Sequence, residues 1–197
     1  MKYIILFFSI PLLFACDNPV GDKKSAINSI DEIGNTSFVN KKFKGNSIDY
    51  NPSLNPCQML GKEALAKLYN VGTEEIQVIE GNVNNQTCTY RVLLGGGEFN
   101  FLTGALVIRP DTPNNDMGTW EEQWSIQKAT SKSSEYLSNM GKAALWKDNK
   151  RILMIKFDGY TLEVNAPGSA INEDEKKKNR NYKSIAIGMA KTAGFIK

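Results

Sequence analysis

The sequence predicts an α+β domain at residues 55–197, an antiparallel sheet of about five or six strands flanked by helices, behind a signal peptide and a disordered tether. Three observations lead there. Apolar and polar residues alternate at 88–94 and again at 160–164, the period of half-buried strands. Asp158-Gly159 joins the second of these to an apolar run, which reads as a hairpin. Patterns of helical period bracket the strands, one opening at Asn55-Pro56-Cys57-Gln58 and one near the C-terminal end.

Each element has a local reason. Asn55 offers a cap, Pro56 suits the first helical position and Gln58 the third. Leu60, Ala64, Leu65 and Leu68 carry the apolar face of this helix, and Tyr69-Asn70 with Gly72 stops it. A short strand follows at 76–80, where Ile76 and Val78 flank Gln77. Residues 82–86 form a loop, after which Cys88, Tyr90, Val92 and Leu94 alternate with Thr87, Thr89 and Arg91. Gly95-Gly96-Gly97 turns the chain into a return strand through Phe99, Phe101 and residues 106–108, with Gly104 marking a bulge or bend. The triplet is a turn rather than a phosphate cradle, because no Lys-Ser/Thr follows and no helix opens there.

Residues 109–116 read as a loop. Asp111, Asn114, Asn115 and Asp116 are rich in oxygen but miss the spacing of a calcium loop, so no metal site is expected. A helix follows, capped by Asp116 or by the Thr119–Glu122 box, with Met117, Trp120 and Trp124 in one apolar stripe. Residues 130–138, rich in Ser and Lys, loop out. Ala143, Leu145 and Trp146 lead through Asp148-Asn149 into 152–157, and the hairpin continues to Tyr160, Leu162 and Val164 as the middle of the sheet. Pro167-Gly168 ends it. A last helix runs from about Asn172 into the 190s with Tyr182, Ile185, Ala186 and Met189 inward, and ends at Gly194.

Ahead of the domain, Lys2 supplies a positive start, residues 3–14 an apolar run and Ala15 a small residue, the layout of a secretory leader. The run is shorter than the roughly 20 residues a membrane-spanning helix needs. Leu13-Phe14-Ala15-Cys16 resembles the lipobox of bacterial lipoproteins. The resemblance implies removal of residues 1–15, a diacylglyceryl thioether on Cys16 and acylation of the new amino end by a palmitate-class chain. It also implies a lipid-anchored protein of the bacterial cell envelope; inner versus outer membrane stays open. Residues 17–54 are rich in Asn, Ser, Lys and Asp and read as a tether with a mean reach of roughly 35 Å. Phe38, Phe43 and Tyr50 leave room for a segment that folds on a partner.

With Cys16 acylated, Cys57 and Cys88 remain. In an exported protein an even pair points to a disulfide, here closing a loop of about 30 residues. A redox couple has less to stand on, since no Cys-x-x-Cys is present.

The order of these pieces resembles actinobacterial Cys-pair lipoproteins that carry Pro-Cys, then Cys-x-Tyr/Trp, then Gly-x-x-Ala-x-Trp, and the related extracellular sensor domains of receptor kinases. The matching positions are Pro56, Cys57, Cys88, Tyr90, Gly141, Ala144 and Trp146, spread over most of residues 55–195. Asn139-Met140-Gly141-Lys142 departs from the Leu-Gly-Asp of that pattern. The resemblance implies a PsbP-like α/β/α sandwich and fixes no activity.

Composition excludes more than it assigns. Loss of Lys2 takes the side-chain charge from +3 to +2, and no basic stripe interleaves with aromatics, so nucleic acid is not an expected partner. Lys176-Lys177-Lys178 follows Glu173-Asp174-Glu175 and is largely cancelled. The chain has no histidine, which removes Ser-His-Asp and Cys-His sites and the commonest zinc ligand. The expected function is therefore a non-catalytic binding or sensing module without a cofactor, whose candidate contacts are Trp120, Trp124, Trp146 and Tyr90. Its partner would be another envelope protein or an extracellular signal. The alternative is an apolar-ligand or lipid carrier with a cavity near Phe99, Phe101, Phe157 and Leu162. Third comes a carboxylate hydrolase using Glu121 or Glu122 with Glu80 or Asp158; the adjacent pair points to different helix faces and is no catalytic pair by itself.

Overall fold

The computed structural model describes residues 36–80, 86–97, 99–112, 118–131, 133–169 and 172–197. Among these, the chain builds β1 (Ile76–Glu80), β2 (Thr87–Leu93), β3 (Phe101–Pro110), β4 (Ser134–Leu137), β5 (Ala143–Lys147), β6 (Ile152–Lys156) and β7 (Tyr160–Gly168). They form one sheet in the order β1-β2-β3-β7-β6-β5-β4, and every neighbouring pair is antiparallel. The fold is α+β, with seven strands rather than five or six. The additional strand is β4, inside the Ser/Lys-rich stretch expected to loop out. It is an edge strand, so its polar residues cost little, while Tyr136 lies opposite Leu145 and stacks on Phe38 at 4.2 Å between ring centres.

The helices are α1 (Pro56–Met59), α2 (Lys62–Tyr69), α3 (Trp120–Ala129), α4 (Glu173–Lys177) and α5 (Tyr182–Thr192). Asn55 caps α1 as expected, its side chain accepting from the Cys57 N–H at 2.9 Å. One expected helix became two here, because Leu60 and Gly61 are extended and Gly61 starts α2 afresh. The last helix is split in the same way. Asn179 turns left-handed at φ 51°, and Asn181 recaps the chain by accepting from the Ser184 N–H at 3.0 Å. Thr119 and Glu122 form the capping box of α3.

Alternation sorts the sheet into two faces. One carries Cys88, Tyr90, Leu106, Leu153, Ile155, Leu162 and Val164, and is packed by α1, α2, α5 and Phe195 into the main core. The other is covered over β5 and β6 by α3, where Trp124 meets Ala143, Leu145 and Met154. At Gly104 the β3–β7 register shifts between Thr103 and Ala105, the expected bulge. Any Cβ there would strike the Asn165 carbonyl and Pro167, so the bulge requires glycine.

The globular unit begins earlier than Asn55. Phe43, Ile48, Tyr50 and Leu54 pack against the main core, and Phe38 packs against the second cluster. Polar groups fix the same stretch: the Asn40 N–H donates to the Lys142 carbonyl at 2.7 Å and the Tyr160 hydroxyl to the Ile48 carbonyl at 2.7 Å. Scattered aromatics that looked too sparse for a core are enough once the domain supplies the other half of each contact. The expected leader, Cys16 and the expected tether up to residue 35 lie outside the described residues. Among the described residues no helix is long and apolar enough to cross a membrane.

Candidate functional site

A cleft of about 450 Å³ lies beside α3, between that helix and the strands its body leaves uncovered. Helical spacing puts Trp120, Gln123, Trp124 and Gln127 along the cleft edge. Strand alternation supplies the floor, with Met154 and Lys156 from β6, Thr161 and Glu163 from β7 and Arg109 from β3. A second hollow of about 590 Å³ shares Gln127 and continues past Lys147 and Lys150.

Charges in the cleft are paired. The Lys156 side chain is 3% exposed, and its Nζ lies 2.6 and 2.5 Å from the two oxygens of Asp111, whose side chain is 48% exposed at the mouth. The same ammonium stands 5.8 Å from the Trp120 ring centre. Arg109 Nε meets Glu163 Oε1 at 2.8 Å on the neighbouring strand. Lys147 donates to Gln127 Oε1 at 2.5 Å, and burial, followed by the Lys150 charge, holds its ammonium below the ordinary lysine range despite Glu163. The cleft thus offers one half-exposed indole, two amide side chains, two threonine hydroxyls and ion pairs that a ligand can rearrange. No group of three or more potential metal ligands occurs among the described residues.

The four aromatic candidates separate. Trp120 is half-buried, stands edge-on to Trp124 at 5.9 Å between ring centres and borders the cleft. Trp124 is buried and shows the cleft only part of its surface. Trp146 and Tyr90 are buried in the main core: their strand positions turn them onto the face beneath α1, α2 and α5. The Tyr90 phenol donates to the Pro56 carbonyl at 3.1 Å, and Cys57 and Cys88 are disulfide-bonded beside it, so the Pro-Cys and Cys-x-Tyr segments form one structural clamp of α1 on β2.

Of the residues considered for an apolar cavity, Phe157 and Leu162 are packed in the core, Phe101 lies under the Arg91 guanidinium at 4.5 Å, and Phe99 is 88% exposed. Among the carboxylates, Glu122 is engaged in capping and Asp158 pairs with Lys142. Sequence reasoning missed Lys156, Asp111, Arg109 and Glu163 as one group. One signal was present: Lys156 is the single charge inside the apolar run 152–157. No protein-family model, curated protein or solved structure matches the chain.

Proposed function

We propose that this protein is a non-catalytic binding module of the bacterial cell envelope, lipid-anchored through Cys16, that engages a polar partner at the cleft beside α3. The observation that carries the reading is the cleft itself: a half-exposed Trp120 next to two ion pairs and two amides. The leader and Leu13-Phe14-Ala15-Cys16 support the anchor. A sheet with helices on both faces supports keeping the PsbP-like sandwich as part of this proposal. No observation favours the carrier or hydrolase readings over it.

Crosslinking in intact cells tests the idea, with wild type beside full-length Trp120→Ala and Gln127→Arg variants. The expected result is one envelope protein enriched by wild type and depleted by both variants. Enrichment that is indifferent to both substitutions would remove the cleft from the account, and equal enrichment on a control of residues 1–54 would remove the domain.

A further inference from the structure

The ribbon that runs from Asn40 to Ile48 along the domain carries Lys41, Lys42 and Lys44, all exposed and none in an ion pair among the described residues. It is held in place. The Asn46 amide donates to the Asp158 carbonyl at 2.9 Å, the Asp158 N–H returns to Asn46 Oδ1 at 2.9 Å, and the Asn40 amide reaches the Gly141 carbonyl at 3.0 Å. Phe43 is turned inward against Phe157, with ring centres 6.4 Å apart, so its lysine neighbours are presented outward. Lys42 and Lys44 border a hollow of about 550 Å³ that Lys197 also lines. The ribbon itself carries no acid from Asn40 to Ile48, and Asp158, which holds Asn46, is paired with Lys142.

We propose that this basic end of the domain is a docking surface for anionic phospholipid headgroups, so that the anchored domain lies on the bilayer in one orientation. The inference rests on the lipid-anchor reading and deepens it. Two facts choose the occupant. Among the described residues the cations have no ion-pair partner, so a surface of phosphates meets them without breaking an ion pair of the fold. The ribbon is also the first part of the fold after the tether, and an anchor at Cys16 confines that part of the domain near the headgroups. Each lysine close to an anionic leaflet multiplies partitioning onto it by about fivefold, and the effect decays within a Debye length.

The test uses the processed chain, residues 16–197 carrying Cys16→Ala, so that no acyl chain contributes. It is sedimented with vesicles of equal parts phosphatidylglycerol and phosphatidylcholine, and with vesicles of phosphatidylcholine alone. Binding to the anionic vesicles only is expected, with loss at about 0.5 M NaCl. Replacing the ribbon cations (Lys41→Gln, Lys42→Gln, Lys44→Gln) is expected to lower partitioning by about two orders of magnitude with an unchanged melting curve. Equal binding to both vesicles, no binding to either, or anionic binding that survives the triple substitution overturns the proposal. So does saturable uptake of inorganic phosphate without vesicle binding, which would make the hollow a free-anion site. The mass of the Cys16 peptide from cells reports separately on the anchor. An unmodified cysteine there, beside intact anionic binding, would sink the anchor reading and leave the surface standing.

Discussion

Tyr90 and Pro56 are joined by a 3.1 Å hydrogen bond, phenol to carbonyl, and the residue after Pro56 is disulfide-bonded to the residue two before Tyr90. Two links between the same helix and strand share one task, so they should not act independently. Tyr90→Phe, which takes the phenol from the Pro56 carbonyl and leaves it only the Leu60 N–H at 3.3 Å, is expected to cost about 0.5–1.5 kcal/mol in urea unfolding. In the reduced protein the cost should differ by at least about 0.5 kcal/mol, because loosening α1 lets water reach that carbonyl. Equal costs in both states would show that the two links are uncoupled.

Opening the disulfide has its own size. The bond closes a separation of 31 residues, for which loop entropy gives about 3–4 kcal/mol of stability. Cys57→Ser with Cys88→Ala should shift the unfolding midpoint accordingly and raise exchange of the α1 and β1 amides before the rest of the sheet. Uniform loss of protection across β5–β7 would contradict that local picture.

The Lys156–Asp111 pair predicts an asymmetry. Asp111→Asn removes the countercharge of an ammonium that is 3% exposed and leaves it the Tyr160 carbonyl at 3.5 Å. A loss of about 1–3 kcal/mol is expected, below the range of fully buried pairs because Asp111 is half in water. Lys156→Met removes the charge instead, and should cost less than Asp111→Asn. The reverse order in thermal unfolding would mean that the pair contributes more as a pair than its buried cation costs alone.

Alkaline pH should unfold the domain. Burial raises the Tyr69, Tyr90 and Tyr160 phenols well above their ordinary range, and Tyr182 rises too, from burial and then from Glu175. Above a pH of about 10 the unfolded chain releases phenolic protons that the folded chain retains, so stability complete below that pH is lost as it rises. Lys147 acts in the opposite direction: its folded form sheds a proton more readily, and its contribution grows as pH climbs toward the ordinary lysine range. One lysine against four tyrosines leaves a net fall. Tyrosinate absorbance should therefore rise in one cooperative step together with loss of far-ultraviolet signal. A gradual, non-cooperative titration of these four phenols would show them to be accessible in the native state.

The strands and helix caps were legible because they rest on local rules. Alternation around Tyr90 and Leu162, the cap at Asn55 and the bulge at Gly104 needed no knowledge of distant residues. What escaped was decided by tertiary partners. Ser134 and Glu135 look like loop residues until β4 is seen at an edge, with Tyr136 stacked on Phe38 from a hundred residues earlier in the chain. Trp146 and Trp120 are the same residue type on similar apolar backgrounds, and only the sheet face decides that one is core and the other borders a cleft. The ion pairs of the cleft bring together β3, β6, β7 and the residue that follows β3, an assembly that spacing along the chain does not encode.

The strand order has a further consequence. β7 is the last strand made, yet it sits in the centre, pairing with β3 from Thr103 to Pro110 and with β6 on its other side. During synthesis the first meander, β1 to β3, waits with a bare edge until Tyr160 to Gly168 arrive. A chain stalled before that point presents long unpaired ladders of exactly the kind that other chains can extend. Quality control in the cell therefore has one moment to watch, the closing of that seam, and damage to β7 should send the protein toward aggregates rather than toward a folded but inactive form.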